Sequence, residues 1–394
     1  MSDSLFLFDV IRKYEYDYHA GDWFLFGKRK KNASKNMMKR VCCFTDCLVS
    51  GGAQRQLVGL ACLLKKRGYD VSVVLYYDIP FYKPHLDAAG VPCVVVGNTK
   101  NPIKRLWLLF RYWRNNASDV MIAYQETPSL ISCLMRPIMK WRRLIVSERN
   151  TTQTVTFRDK IRFWLWRFAD VIVPNSYAQT NFIKVNQLCR VNKVVTITNF
   201  TDIDVFVPES SRDMGHPNNI IAVVASMKPE KNFRRLAEAI QLVKRRHSNF
   251  HVNWYGIAEP YIENHNQILR DLEVDDVMTV YPMRLNVADN LRESDFFVLP
   301  SLFEGFPNAL CEAMSCGLPV ACSAICDNPR IVRNGDNGFL FDPLNVEEMS
   351  EAILRLLSMP ADAYKEMATK NRTYAECSLS EERFVEKYIR LIEF

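Results

Sequence analysis

The 394-residue sequence has no uncharged apolar run of about 18 residues or more, so nothing in it reads as a membrane-spanning helix. Its start lacks the basic end, apolar run and small-residue cleavage site of a secretory signal, and the expectation is a protein of the cytosol. None of the 12 cysteines stands in a C-x-x-C pair or near a histidine at zinc-finger spacing. A structural metal is therefore not indicated, and reduced, buried thiols acting as small apolar side chains are expected. No nucleic-acid-binding motif is present. With 48% hydrophobic and 24% charged residues, the composition excludes a wholly disordered chain, a collagen and a small disulfide scaffold.

What is there is an uneven charge. Residues 1–200 carry 31 Lys and Arg against 14 Asp and Glu, whereas residues 201–394 carry 20 against 30. A basic half of this kind suits an anionic partner, either a nucleic acid or a membrane surface. The length allows two or three domains.

Residues 1–37 are rich in Tyr, Phe and charge and read as an atypical N-terminal extension, with Met37 and Met38 just ahead of the first strand. From Lys39 a regular alternation begins. The apolar run Val41–Phe44 is followed by the Ser50-Gly51-Gly52 turn and a helical pattern through Leu57, Leu60, Ala61 and Leu64. Short apolar strands are expected at 71–76, 93–96, 120–123, 144–146, 171–173 and 194–197, with helices between most of them. The stretch 208–218, with two prolines and a glycine, reads as a linker. The alternation then resumes with strands at 220–225, 251–255, 278–280, 296–299 and 319–321. Nearly all-apolar strands separated by helices imply parallel sheets covered on both faces. Two such doubly wound α/β domains bind ligands between them, at the carboxyl ends of the strands.

The segment Leu299–Val320 carries the chemistry. It reads as a strand, a turn at Gly305 and a helix beginning near Pro307, stopped by Gly317 and Pro319. Helix-start amides and the helix dipole favour a phosphate at that point. Glu304 before the helix and Glu312 within it could hold sugar and ribose hydroxyls. Spacing alone leaves both equally readable as a cap-region charge and a surface charge.

This segment resembles the E-x7-E signature of retaining glycosyltransferases of family 4, whose fold is called GT-B. The resemblance extends to Ser50-Gly51-Gly52-Ala53-Gln54, Ser147-Glu148-Arg149-Asn150, Asn199 with Asp202, Lys228-Pro229-Glu230-Lys231-Asn232, Asp295-Phe296 and Asn334–Gly338. It implies two Rossmann-like domains facing across a cleft. Residues 38–207 would form the acceptor- and membrane-facing domain and residues 219–380 the nucleotide-sugar domain. Residues 381–394 would form a C-terminal helix, with the C-terminal helices packing back towards the first domain. Glu312 would accept from ribose hydroxyls, and Glu304 would face the donor sugar beside the amides of Asn308, Ala309 and Leu310. Lys231 would neutralise the departing diphosphate, and Gly51 and Gly52 would let backbone approach it. The implied donor is a nucleotide-diphosphate sugar, UDP-linked, with no cofactor and no metal. The implied acceptor is a glycan on a lipid carrier, met by Glu148 and Asn150, with Arg149 on an acceptor phosphate or the donor.

Departures from that pattern matter. Ser226 stands where many relatives have Arg, so a second phosphate cation is in doubt; Lys228 is the candidate substitute, unless it is a solvated loop lysine. For Arg149 an internal pair with Glu148 is the competing reading. Phe200 replaces a common Gly beside Asn199. Asp202-Ile203-Asp204 resembles a metal-binding Asp-x-Asp but stands in the wrong fold context, and reads as a loop feature. The segments 103–114 and 157–167 combine Trp, Phe and Arg as interfacial helices do. Either alone reads at least as well as a helix covering the sheet with its apolar side, but two of them in the basic half point to peripheral contact with the inner face of an anionic membrane rather than to nucleic acid. Competing functions are a UDP-sugar 2-epimerase of the same fold, and a non-catalytic glycan- or lipid-binding module with a decayed donor site.

Overall fold

The computed structural model describes residues 39–149, 151–152, 154–186, 188–209, 218–282 and 286–393. The N-terminal extension, most of the expected linker and Asn150 lie outside the described residues. Lys39–Phe394 belong to one compact unit.

The first part of that unit runs β1 (Arg40–Thr45), α1 (Gly52–Lys66), β2 (Asp70–Leu75), α2 (Lys83–Ala88), β3 (Cys93–Val95) and α3 (Pro102–Asn115). It continues with β4 (Val120–Tyr124), α4 (Glu126–Met135), β5 (Arg143–Glu148), α5 (Phe157–Leu165), β6 (Val171–Pro174) and α6 (Tyr177–Val185). The second part runs β7 (Ile220–Val224), α7 (Phe233–Lys244), β8 (His251–Ile257), α8 (Ile262–Asp271), β9 (Met278–Pro282) and α9 (Val287–Arg292). Then come β10 (Phe296–Leu299), α10 (Asn308–Ser315), β11 (Val320–Ser323), α11 (Asn328–Ile331), β12 (Phe339–Phe341), α12 (Val346–Leu357), α13 (Ala361–Ser378) and α14 (Glu381–Glu393).

The strands form two six-stranded sheets, ordered β3-β2-β1-β4-β5-β6 and β12-β11-β10-β7-β8-β9, and every strand pairing is parallel. Strands such as β4 and β10 are buried at every position, as helices on both faces require. This is the two-domain GT-B architecture. The last helix closes it. Phe384, Val385, Tyr388, Leu391 and Ile392 recur at helical spacing on α14 and share one core with α1 and the first sheet. Each large apolar side chain so buried stabilises the fold by about 1.5–3 kcal/mol, which is what draws α14 back onto the first domain.

Two expectations change. Residues 194–197 do not form a strand. Val195 and Ile197 donate to β6 at 2.9 and 3.1 Å, but there is only a single bridge, Ile172 to Val194. The chain then peels away because the α1 side chain Gln56 clamps the Phe200 backbone, accepting from its N–H at 3.1 Å and donating to its carbonyl at 2.8 Å. Gly59 makes room for the Phe200 ring, since a Cβ there would sit 2.3 Å from it. The three-residue strand β12, conversely, was not anticipated. Of the cysteines, seven are buried, four are partly buried and Cys377 is exposed, so the expectation of small buried apolar thiols fails at Cys377.

Candidate functional site

In each sheet the chain reverses its direction of winding next to the first strand, between β1 and β4 and between β10 and β7. The loops at the carboxyl ends of these strands flank a crevice, which is where open α/β sheets hold ligands. The two sets of loops touch. Thr151 donates to the Glu304 carbonyl at 2.7 Å, and Asn199 donates its side-chain amide to Asn308 Oδ1 at 2.7 Å. A Cβ on Gly52 would lie 2.6 Å from the Asn308 amide nitrogen, so only glycine permits this approach without displacing Asn308.

On the second domain, α10 begins at Asn308 with Pro307 before it and no side-chain cap. The first N–H groups of a helix have no intrahelical acceptor, and the dipole places positive potential there. Of the three amides expected to face an anion, that of Asn308 is turned back onto the Phe306 carbonyl at 2.9 Å. Ala309 and Leu310 are left in that first turn. Glu304 stands just ahead, accepting from Lys231 Nζ and from Ser301 Oγ, each at 2.6 Å. Lys231 is set by Asn232, whose backbone is left-handed (φ 63°, ψ 34°) and whose buried amide donates to the carbonyls of Pro300 at 3.0 Å and Pro343 at 2.8 Å. Leu302 N–H donates to the Glu230 carbonyl at 2.7 Å, stitching the loop after β7 to the loop after β10.

Glu312, one turn into α10, is buried and paired with Arg55 from the first turn of α1. Burial raises its carboxyl above the usual glutamate value, and Arg55 draws it part of the way back. Ser226 follows β7 in a half-buried position. Lys228 is a surface side chain, 70% exposed and 3.9 Å from Glu230, in keeping with the reading as a solvated loop lysine rather than a substitute for an arginine at Ser226.

The residues assigned to the acceptor are placed differently from expectation. Arg149 is buried, and its guanidinium donates to Asn199 Oδ1 at 2.7 Å, the Tyr124 hydroxyl at 2.7 Å and the Tyr388 hydroxyl at 2.6 Å, lying 4.3 Å above the Tyr124 ring. It is turned into the packing between α14 and the first sheet instead of the open cleft, and its partner is not Glu148. Glu148 is buried at the end of β5, 3.4 Å from Arg162, which also meets Glu126 at 2.7 Å and Asp159 at 3.0 Å. A carboxylate so enclosed is a support for α5, not an acceptor contact. Asp202 caps its own turn, accepting from the N–H groups of Asp204 and Val205 at 3.2 and 3.1 Å.

Three features had no motif to announce them. Arg55 is one. Gln125 is the second, with φ 73° and ψ 175°, a conformation side chains rarely adopt. With its amide oriented to satisfy both neighbours, it donates to Asp46 and accepts from Gln54, each at 2.9 Å. The third is Asp327, a buried carboxylate of the second domain that accepts from the N–H groups of Tyr177 and Ala178 at 2.7 and 2.8 Å, capping the first-domain helix α6. Burial raises its pKa, with those two amides and Arg330 opposing.

Residues 218–359 match the family described as Glycosyl transferases group 1. A Haemophilus influenzae protein named an uncharacterized glycosyltransferase is 24% identical over 83% of this chain and 92% of its own length. The N-acetylgalactosamine-N,N'-diacetylbacillosaminyl-diphospho-undecaprenol 4-alpha-N-acetylgalactosaminyltransferase of Campylobacter jejuni is 22% identical over 81% of this chain and 90% of its own. Among solved structures, Anabaena Alr3699/HepE in complex with UDP and glucose superposes with a TM-score of 0.78 at 18% identity, covering 89% of this chain and 98% of that one. At that identity the likeness is one of fold.

Proposed function

We propose that this chain, a glycosyltransferase of the GT-B fold, moves a sugar from a UDP-linked donor, with retention of configuration, to a glycan carried on a lipid diphosphate at the inner face of an anionic membrane. The observation that carries the donor part is the arrangement around the start of α10. Its uncapped first turn, the Lys231–Glu304 pair and the buried Glu312 lie within reach of the Gly52 backbone of the facing domain. UDP and glucose bound to a neighbour of the same fold support a UDP-sugar at this place.

The roles follow from charge. The diphosphate sits at the α10 N-terminus, where the dipole and Lys231 take up the negative charge that grows as the glycosidic bond breaks. Glu304 shares its charge with Lys231 and Ser301, keeping the lysine aimed at the cleft while its remaining oxygen faces the sugar. Glu312 accepts from the ribose. No enzyme nucleophile is required, because the acceptor hydroxyl attacks on the face from which the nucleotide leaves. Lys231 and the helix start already supply positive charge, so turnover is expected to proceed without a divalent metal.

The acceptor part rests on the outer surface of the first domain. On α3, Leu109 and Trp113 enter the core while Ile103 and Trp107 are exposed, Trp107 by 54%. On α5, Phe163 and Leu165 are buried while Phe157, Ile161 and Trp164 are exposed. Arg111 and Arg167 lie over the Trp107 and Trp164 rings, 5.5 and 3.7 Å from their centres. Beside Trp164 a groove of about 600 Å³ is lined by Arg167, Lys184 and Arg190, which form no ion pair among the described residues. Cations and apolar rings side by side suit the interface of an anionic bilayer. The Campylobacter jejuni relative is named for a diphospho-undecaprenol substrate, which supports a lipid-linked acceptor. No helix among the described residues is long and apolar enough to cross a membrane.

Two variants test the donor site. Glu312→Ala and Lys231→Ala are expected to abolish nucleotide binding, measured calorimetrically with UDP; binding equal to the parent in both would overturn the site. Co-sedimentation with anionic vesicles, weakened by Trp107→Ala together with Trp164→Ala, tests the membrane face.

A further inference from the structure

Arg55 belongs to the first domain, yet its guanidinium crosses the cleft to the Glu312 carboxylate. Glu312 is buried and Arg55 half-buried, and neither residue has another ion pair among the described residues. If Glu312 accepts from both ribose hydroxyls of the donor, one on each oxygen, as the proposed function holds, the oxygen that now holds Arg55 is engaged and the guanidinium is released. Donor binding then displaces a cation whose charge needs a new partner.

The position of Arg55 identifies that partner. It sits in the first turn of α1, three residues after Gly52, and Gly52 approaches Asn308 at the start of α10. The starts of α1 and α10 therefore face each other, and α1 has neither an acidic residue in its first turn nor a side-chain cap. A diphosphate at the start of α10 lies beside Arg55. The second domain offers it little further compensation. Ser226 carries no charge, Lys228 faces Glu230, and Lys231 already shares its charge with Glu304. Before the donor arrives, the site holds two neutral pairs, Lys231–Glu304 and Arg55–Glu312.

We propose that Arg55 is the second phosphate cation of this site, held on Glu312 in the nucleotide-free protein and handed to the donor diphosphate when the ribose replaces it. This rests on the donor-site reading above. It makes closure of the cleft dependent on a diphosphate: a nucleoside alone displaces Arg55 and leaves it without an anion, whereas a nucleoside diphosphate does both. Guanidinium suits the task, because its planar donors match carboxylate and phosphate alike.

The test is equilibrium binding of uridine, UMP and UDP to the full chain and to Arg55→Gln, Arg55→Lys and Glu312→Gln, with circular dichroism to confirm folding. The expected result is that Arg55→Gln weakens UDP about 10- to 100-fold while uridine binds as well as to the parent or better. Arg55→Lys should recover part of the loss. Glu312→Gln should weaken all three ligands while keeping the preference for UDP over uridine, because Arg55 is then free for the phosphates. Equal tightening of uridine and UDP by Arg55→Gln would mean that Arg55 only blocks Glu312, and would overturn the proposal. So would unchanged binding of both. Failure of the donor-site reading itself shows in the parent, which would then bind none of the three, and that result overturns both.

Discussion

Arg149 and Tyr388 stand 239 positions apart in the chain and meet at 2.6 Å, guanidinium to phenol, inside the packing of α14 on the first sheet. Through Asn199 the same guanidinium reaches Asn308 at the start of α10, in two hydrogen bonds of 2.7 Å each. One buried cation thus ties the first domain, the C-terminal helix and α10 of the second domain together. Among the described residues it has no carboxylate partner, so its charge rests on neutral acceptors and on the Tyr124 ring.

Removing that cation leaves several buried groups unpaired. Arg149→Met is expected to lower stability by about 1.5–3 kcal/mol, and Tyr388→Phe by less, because only one of three acceptors is lost. The two effects should fall short of additive in the double variant, since both remove the same bond. Urea unfolding of the four proteins measures this, and additivity would show that the contact contributes nothing.

Gly52→Ala separates affinity from stability. The new methyl would meet the Asn308 amide nitrogen at 2.6 Å and push it off Asn199. Alanine also favours the helix by up to about 1 kcal/mol. The melting temperature should hold or rise while UDP binding weakens about tenfold. Parallel loss of both would contradict this close approach as a feature of the donor site.

Glu312 sets a pH dependence in the nucleotide-free protein. Burial raises its folded pKa above the usual glutamate value, with Arg55 opposing. A raised carboxylate pKa penalises the folded state above that pKa, and the penalty disappears as pH falls below the unfolded value. As pH rises from below the ordinary glutamate pKa through the raised folded one, the parent should therefore lose stability relative to Glu312→Gln. Thermal melts of both proteins across that range test it, and a gap that narrows with rising pH would reverse the sign.

Thiol chemistry should be confined. Cys42, Cys133 and Cys316 are buried, which pushes their pKa up to about 12, and Cys377 alone is exposed among the cysteines of the described residues. A thiolate is the reactive form, so a disulfide reagent at neutral pH should titrate one fast thiol, lost in Cys377→Ser. Several fast thiols in the native protein would contradict the burial described.

The two sheets were legible because their strands are short apolar runs set between helices, a pattern that needs cover on both faces. The start of α10 was legible for local reasons too, since Pro307, Gly317 and Pro319 bound it and Glu304 and Glu312 stand eight residues apart. The segment 194–197 misled because Val and Thr favour a strand locally, whereas Gln56, far away in sequence, takes hold of the chain at Phe200. Arg149 misled because its motif says nothing of Tyr124 and Tyr388, which only the return of α14 brings to it. Arg55, Gln125 and Asp327 share that limit. Each acquires its role from a partner on another element, and the carboxylate spacing that exposed Glu312 carried no sign of the arginine 257 residues before it.

Thermal unfolding in the presence of UDP, GDP and ADP, each with and without EDTA, tests the central claim most directly. A ligand at about 100 times its dissociation constant adds roughly 2.7 kcal/mol to the folded state, enough to move the midpoint visibly. The account predicts a rise with UDP that persists in EDTA and is absent with GDP and ADP. No rise with UDP, or one that EDTA abolishes, would contradict a metal-independent UDP-sugar site at the start of α10.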